Sequence, residues 1–203
     1  MILQRRSPVV AVSNLKGGTG KTVLAIHLAY ILQAHLLDLD PQGDASDWCV
    51  RSGLVASHRA HGAEELNHLI HTIEGPIVLD TPPGEGESLR AALVLSSVVV
   101  IPLKPGSSDL RALGRMQALI KEAKKLNKTL KVGIVLNEAK AVSVMSRGVE
   151  DTLKDLEGAI YLGHLGDRVA FPEALASGEV VGGSAAADEV MQIAENLSNL
   201  IQE

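Results

Sequence analysis

Two lysines flank a glycine-rich run at residues 16–22, Lys-Gly-Gly-Thr-Gly-Lys-Thr, an arrangement suited to binding phosphate. The common phosphate loop is Gly, four residues, then Gly-Lys-Ser/Thr. Gly20, Lys21 and Thr22 supply its end, but Leu15 stands where the first glycine belongs and Lys16 follows. Gly17, Gly18 and Gly20, with Thr19 among them, let the backbone bring its N–H groups close to oxygen atoms. A helix beginning near Lys21 turns its partial positive end toward the same phosphates. Lys21 is placed to reach the outer phosphates of a nucleotide, and Thr22 offers a hydroxyl to Mg²⁺, a hard ion that prefers oxygen. Lys16, on the far side of the turn, is placed to reach a phosphate held by a second copy of the chain. Val9 to Ser13 reads as a buried strand and Val23 to Ala29 as a helix, the context this motif requires.

Two further segments end apolar runs in carboxylates. In Leu36 to Gly43, alternation sets Asp38 and Asp40 on one side of a strand that Pro41 stops. Asp40, at the open end, is the candidate for positioning an attacking water, with Asp38 as a helper. The same residues also suit a plain strand-to-loop turn, which Asp-Pro often marks. In Pro76 to Gly84, an apolar strand ends at Asp80, the Walker B arrangement in which the carboxylate supports Mg²⁺. The stiff turn from Thr81 to Gly84 is placed to sense the γ-phosphate.

The elements that must position these groups alternate along the chain. Strands are predicted over 8–13, 35–39, 76–80, 97–103, 131–136 and 159–162. Helices are predicted over 21–33, 44–52, 62–73, 87–95, 109–127, 146–156, 171–177 and 185–202. This order predicts a P-loop NTPase fold: a three-layer α/β/α sandwich with a mostly parallel central sheet, formed by a single domain over 1–203. Apolar residues make up 46% of the chain and aromatic residues 2%, so the core must be aliphatic, as buried parallel strands require. The single cysteine, Cys49, excludes internal disulfides and cysteine-held clusters within one chain. No apolar run reaches membrane-spanning length and none resembles a secretory leader, so a cytoplasmic protein is expected.

The three motifs, in this order and spacing, resemble the ParA-type ATPases of the ParA/MinD group, whose two-lysine loop is the deviant Walker A. The matching stretches are Lys16 to Thr22, Asp38 to Gly43 and Asp80 to Pro83. Further matches lie in Val100 to Pro102, Gly133 to Asn137 and Asp167 to Ala174. The length resembles the small subgroup without an N-terminal helix-turn-helix domain. The resemblance implies ATP with Mg²⁺ as cofactors, an ATP-dependent homodimer, and Lys16 acting across it. It further implies that Lys21 and Thr22 bind phosphate and metal, Asp40 positions water and Asp80 supports the metal. Asn137 and the 164–172 segment fall where the family holds adenine. One departure stands out: Ile31 to His35 joins the first helix directly to the second strand, where family members carry a few more residues, including a glycine.

The net charge of −5 argues against a surface that coats nucleic acid throughout. The charge is segregated, however. Residues 104–154 hold 11 Lys/Arg against 5 Asp/Glu, a surplus of +6, and the rest of the chain carries −11. Lys121, Lys124, Lys125 and Lys128 recur at helical spacing, either an ordinary solvated face or a face for DNA phosphates. Arg147 and Arg168 are further candidates. The resemblance implies non-specific DNA binding by the ATP-bound dimer, a nucleoid-associated location, and release when a ParB-like centromere-binding protein or a cargo adaptor stimulates hydrolysis. The alternatives are a metabolic P-loop enzyme such as a dethiobiotin-synthetase-like ligase, or a MinD-like cell-division regulator. Membrane attachment is disfavoured because the last helix carries acids and no Lys/Arg. His58, His61, His68 and His71 lie in a polar segment without cysteine and read as solvated, and Trp48 reads as a packing anchor.

Overall fold

The computed structural model describes residues 7–104, 110–139, 156, 158–183 and 185–203. Seven strands form one sheet: β1 (Val9–Val12), β2 (His35–Asp38), β3 (Ser57–Arg59), β4 (Ile77–Asp80), β5 (Val98–Leu103), β6 (Lys131–Ala139) and β7 (Ala159–Gly166). Their order is β3-β2-β4-β1-β5-β6-β7 and every pairing is parallel. The helices are α1 (Lys21–Ile31), α2 (Asp44–Ser52), α3 (Ala63–Thr72), α4 (Glu87–Leu95), α5 (Leu110–Leu126), α6 (Ala170–Ser177) and α7 (Ala185–Gln202).

Strand alternation splits the core into two layers. Val9, Ala11, Leu37, Leu79, Val99 and Ile134 face α3, α4 and α5. Val10, Val12, Leu36, Val78, Val100 and Val135 face α1, α2, α6 and α7. Ile134 and Val135 stay in opposite layers although the β6–β7 register shifts between them. The last helix covers the sheet, as its apolar stripe predicts: Val190, Ile193, Ala194 and Leu197 are buried. Trp48 of α2 is 1% exposed in the second layer, and its indole N–H finds no hydrogen-bond acceptor among the described residues.

Two features differ from the sequence expectations, and the short connection that the sequence anticipates has its own closure. A seventh strand, β3, pairs with the outer side of β2, where the sequence predicts no strand. Strands β6 and β7 run on to Ala139 and Gly166. The short α1–β2 connection closes through Gln33, which takes the left-handed conformation (φ 51°) that a glycine would otherwise fill, while the Ala34 N–H reaches back to the Ala29 carbonyl at 2.9 Å. Residues 146–155 of the helix predicted at 146–156 lie outside the described residues.

β1 sits at the centre, with β4 on one side and β5 on the other. The chain leaves β1 toward β2 and later returns from β4 across β1 to β5. The carboxyl ends of β1, β2 and β4 therefore border one crevice, where open parallel sheets bind ligands.

Candidate nucleotide site

The loop between β1 and α1 is held at both ends by amide side chains. Asn14 is buried; its Nδ2 donates to the Pro102 carbonyl at 2.8 Å, and its Oδ1 accepts the Lys16 backbone N–H at 3.0 Å. Asn137, from β6, donates through Nδ2 to the Thr19 carbonyl at 2.9 Å. The fit is close, because a Cβ on Gly20 would lie 2.2 Å from Asn137 Nδ2, and Gly20 also takes φ +91°. Asn137, near adenine by resemblance, is in this structure a brace for the loop. Asn14 was not among the sequence candidates; its signal was a short amide able to bond the backbone two residues on.

Lys21, Thr22 and Asp80 converge inside this loop. Lys21 is 6% exposed and its ammonium donates to the Lys16 carbonyl at 3.1 Å. Burial pulls its proton affinity below that of an ordinary lysine, and the charges of Asp80 and Asp40 oppose that shift. Thr22 donates its hydroxyl to Asp80 Oδ2 at 2.8 Å. Asp80 is 2% exposed, and its Oδ1 has no hydrogen-bond partner among the described residues. Burial pushes its carboxyl up to about 7; the Thr22 hydrogen bond and Lys21 pull it down, while Asp38 and Asp40 push it further up. A buried carboxylate with an unmatched oxygen beside a hydroxyl is a donor set that fits a hard divalent cation, and Thr22 and Asp80 are the residues that would hold Mg²⁺. The Thr81–Gly84 turn is tied to the loop: Thr81 Oγ1 donates to the Val12 carbonyl at 3.0 Å, and the Gly84 N–H to that of Leu15 at 3.0 Å.

The two carboxylates after β2 have separate duties. Asp38 is 1% exposed; its Oδ1 accepts the Asp40 N–H at 3.0 Å and its Oδ2 the Ser46 N–H at 2.9 Å. The second bond satisfies an otherwise unpaired donor in the first turn of α2. With both oxygens bonded to backbone, Asp38 shapes the turn that carries Asp40. Asp40 is half-buried at the mouth of the crevice, with Oδ1 accepting the Gln42 N–H at 3.0 Å.

Lys16 stands exposed at the front of the loop. On α5 and in the turn that follows it, Lys121, Lys125 and Lys128 are exposed and Lys124 is half-buried. Arg168 is exposed but engaged by Glu189, with Nη2 to Oε1 at 2.7 Å. Arg147 lies outside the described residues. No group of three or more His, Cys, Asp or Glu residues suited to a metal occurs among the described residues, and no helix among them is long and apolar enough to cross a membrane.

An all-parallel sheet with a two-lysine loop at the carboxyl end of its central strand defines a P-loop nucleotide-binding protein. The chain belongs to the CobQ/CobB/MinD/ParA nucleotide binding domain family, whose pattern it matches over residues 10–181. It is 28% identical over 202 residues to maintenance of carboxysome distribution protein A of Halothiobacillus neapolitanus, across 91% of this chain and 93% of that protein. It is 26% identical to the chromosome-partitioning ATPase Soj of Thermus thermophilus, across 79% and 78% of the two chains. A solved Cyanothece McdA variant in complex with ATP shares the fold at a TM-score of 0.79 and 13% identity, covering 98% of each chain.

Proposed function

We propose that this protein is a positioning ATPase. It binds ATP and Mg²⁺ at the Lys16–Thr22 loop, pairs with a second copy through the nucleotide, holds DNA non-specifically in that state, and lets go after hydrolysis. The observation that carries the reading is the convergence of the buried Lys21 and Asp80 with the half-buried Thr22 inside a loop that keeps a further lysine at its front. Lys21 and the loop amides bind and orient the phosphates. Thr22 and Asp80 hold the metal, which when bound neutralises phosphate charge. Asp40 orients the water, and Lys16 carries its charge to the triphosphate of the other copy. The Thr81–Gly84 turn, bonded to the loop, transmits the presence of the γ-phosphate to the surface.

The cargo reading draws on the relatives. One is a carboxysome distribution protein and another a chromosome-partitioning ATPase, so a large intracellular object, presented by an adaptor or centromere-binding protein, is the proposed load. The nucleoid is the proposed track, and the exposed lysines of α5 and the following turn are the proposed contact. Sedimentation with non-hydrolysable ATP and Mg²⁺ tests the reading. The parent chain should form a dimer and bind DNA, whereas Lys16→Gln should bind nucleotide within about threefold of the parent yet stay monomeric. A parent chain that remains monomeric with the nucleotide bound would turn the reading toward a metabolic P-loop enzyme.

A further inference from the structure

We propose that Arg59 is a positioning residue for hydrolysis, a clamp on the turn that carries Asp40. The proposal rests on the reading of Asp40 given above. Arg59 closes β3, the edge strand whose last pairing is with Asp38. Its guanidinium reaches back over the turn, where Nη2 donates to the Pro41 carbonyl at 2.9 Å and to the Asp40 carbonyl at 3.4 Å. The same group lies against Gly43, since a Cβ there would come within 2.7 Å of Cζ and Nη1. Position 43 favours glycine through its φ of +77°, and the guanidinium of the exposed Arg59 lies where a side chain there would begin.

The turn has two sides with different supports. Its N–H groups are held from within: Asp40 N–H by Asp38 Oδ1, and Gln42 N–H by Asp40 Oδ1, each at 3.0 Å. The Asp40 carbonyl also accepts the Gly43 N–H at 3.0 Å, and among the described residues Arg59 is the side chain that holds the Pro41 carbonyl and adds a longer bond to that of Asp40. A planar guanidinium can bond two carbonyls and lie flat on a glycine at once, whereas an ammonium is a point donor. Removing it takes the support from the Pro41 carbonyl and loosens the turn, so the Gln42 and Gly43 amides open more often and the Asp40 carboxylate samples a wider range of positions. A displacement of about 1 Å in such a group can cost on the order of 100-fold in rate.

The test compares the parent chain with Arg59→Ala, Arg59→Lys and Asp40→Ala, measuring ATP turnover, direct ADP and ATP affinities, and amide exchange at Gln42 and Gly43. Arg59→Ala should lower kcat about tenfold, leave both affinities within about twofold, and speed exchange at the two amides. Arg59→Lys should recover only part of the rate. If Arg59→Ala leaves kcat and exchange unchanged while Asp40→Ala is impaired, the clamp is overturned and the Asp40 reading stands. If Arg59→Ala weakens ATP affinity in step with kcat, Arg59 contacts nucleotide instead and the clamp is overturned. If Asp40→Ala turns over like the parent, the Asp40 reading fails and the clamp's catalytic role falls with it.

Discussion

The crevice at the carboxyl end of the sheet and the outer surface of α5 both carry positive charge, and they hold it in opposite ways. Lys21 is buried, bonded to a carbonyl and close to two carboxylates, and its proton affinity is lowered by the loss of water. Lys121, Lys125 and Lys128 are exposed. A desolvated charge is costly unless a partner meets it, so its surroundings specify what must bind there. A solvated charge costs little and specifies only a sign, and its interactions fade with salt.

The largest expected effect tests the desolvated side. In metal- and nucleotide-free protein, the elevated Asp80 pKa means that the folded chain holds a proton that the unfolded chain releases. The resulting penalty is absent below about 4, grows as pH rises toward about 7, and is complete above it. Asp80→Asn should therefore unfold with the parent at pH 4 but be more stable at pH 8, by on the order of 4 kcal/mol. The gain should turn into a loss of the Mg-nucleotide-dependent rise in Tm. Equal urea midpoints at pH 8 would break the comparison by showing that this burial carries no cost.

The solvated side should yield less, and only at low salt. Lys125→Glu with Lys128→Glu should weaken ATP-dependent DNA binding about tenfold at low ionic strength and flatten the log–log salt slope by about 2. A loss that persists unchanged at high salt would mean that these lysines act by shape rather than by charge.

The smallest effect sharpens the contrast by offering a buried titratable group whose partners are complete. His27 of α1 is 2% exposed; its Nδ1 lies 2.7 Å from the Val23 carbonyl, and its Nε2 accepts the Val181 N–H at 3.2 Å. That pairing describes the neutral ring, and burial lowers its pKa, against the pull of the Val23 carbonyl. Stability should therefore be flat above about 6.5 and fall as pH drops below it. In His27→Gln that part of the pH dependence should vanish from urea titrations.

The site was legible in the sequence wherever its chemistry is local. Lys16 to Thr22 and Asp80 declare themselves because a few adjacent residues and the preceding strand define the motif. The bounds of α2 were equally plain, because Gly43 and Gly53 both take left-handed conformations at its ends. Long-range partnerships were not legible. Nothing in Ser57-His58-Arg59 marks a strand, since three mostly polar residues show no period and their order comes from pairing with β2. The clamp at Arg59 was hidden with it. Alternation paired Asp38 with Asp40, but β2 ends at Asp38, and nothing local could show that a helix starting six residues later would take its second oxygen. The brace between Asn137 and Thr19 spans 118 residues, beyond the reach of any local pattern.

Trp48 gives this molecule a built-in lamp. It is the chain's sole indole, sealed from water on the helix that Asp38 anchors. Light absorbed at the red edge of the protein band therefore reports from one place, a few residues beyond the Asp40 turn. Rearrangement of that corner during a turnover cycle can be followed in real time without attaching a dye.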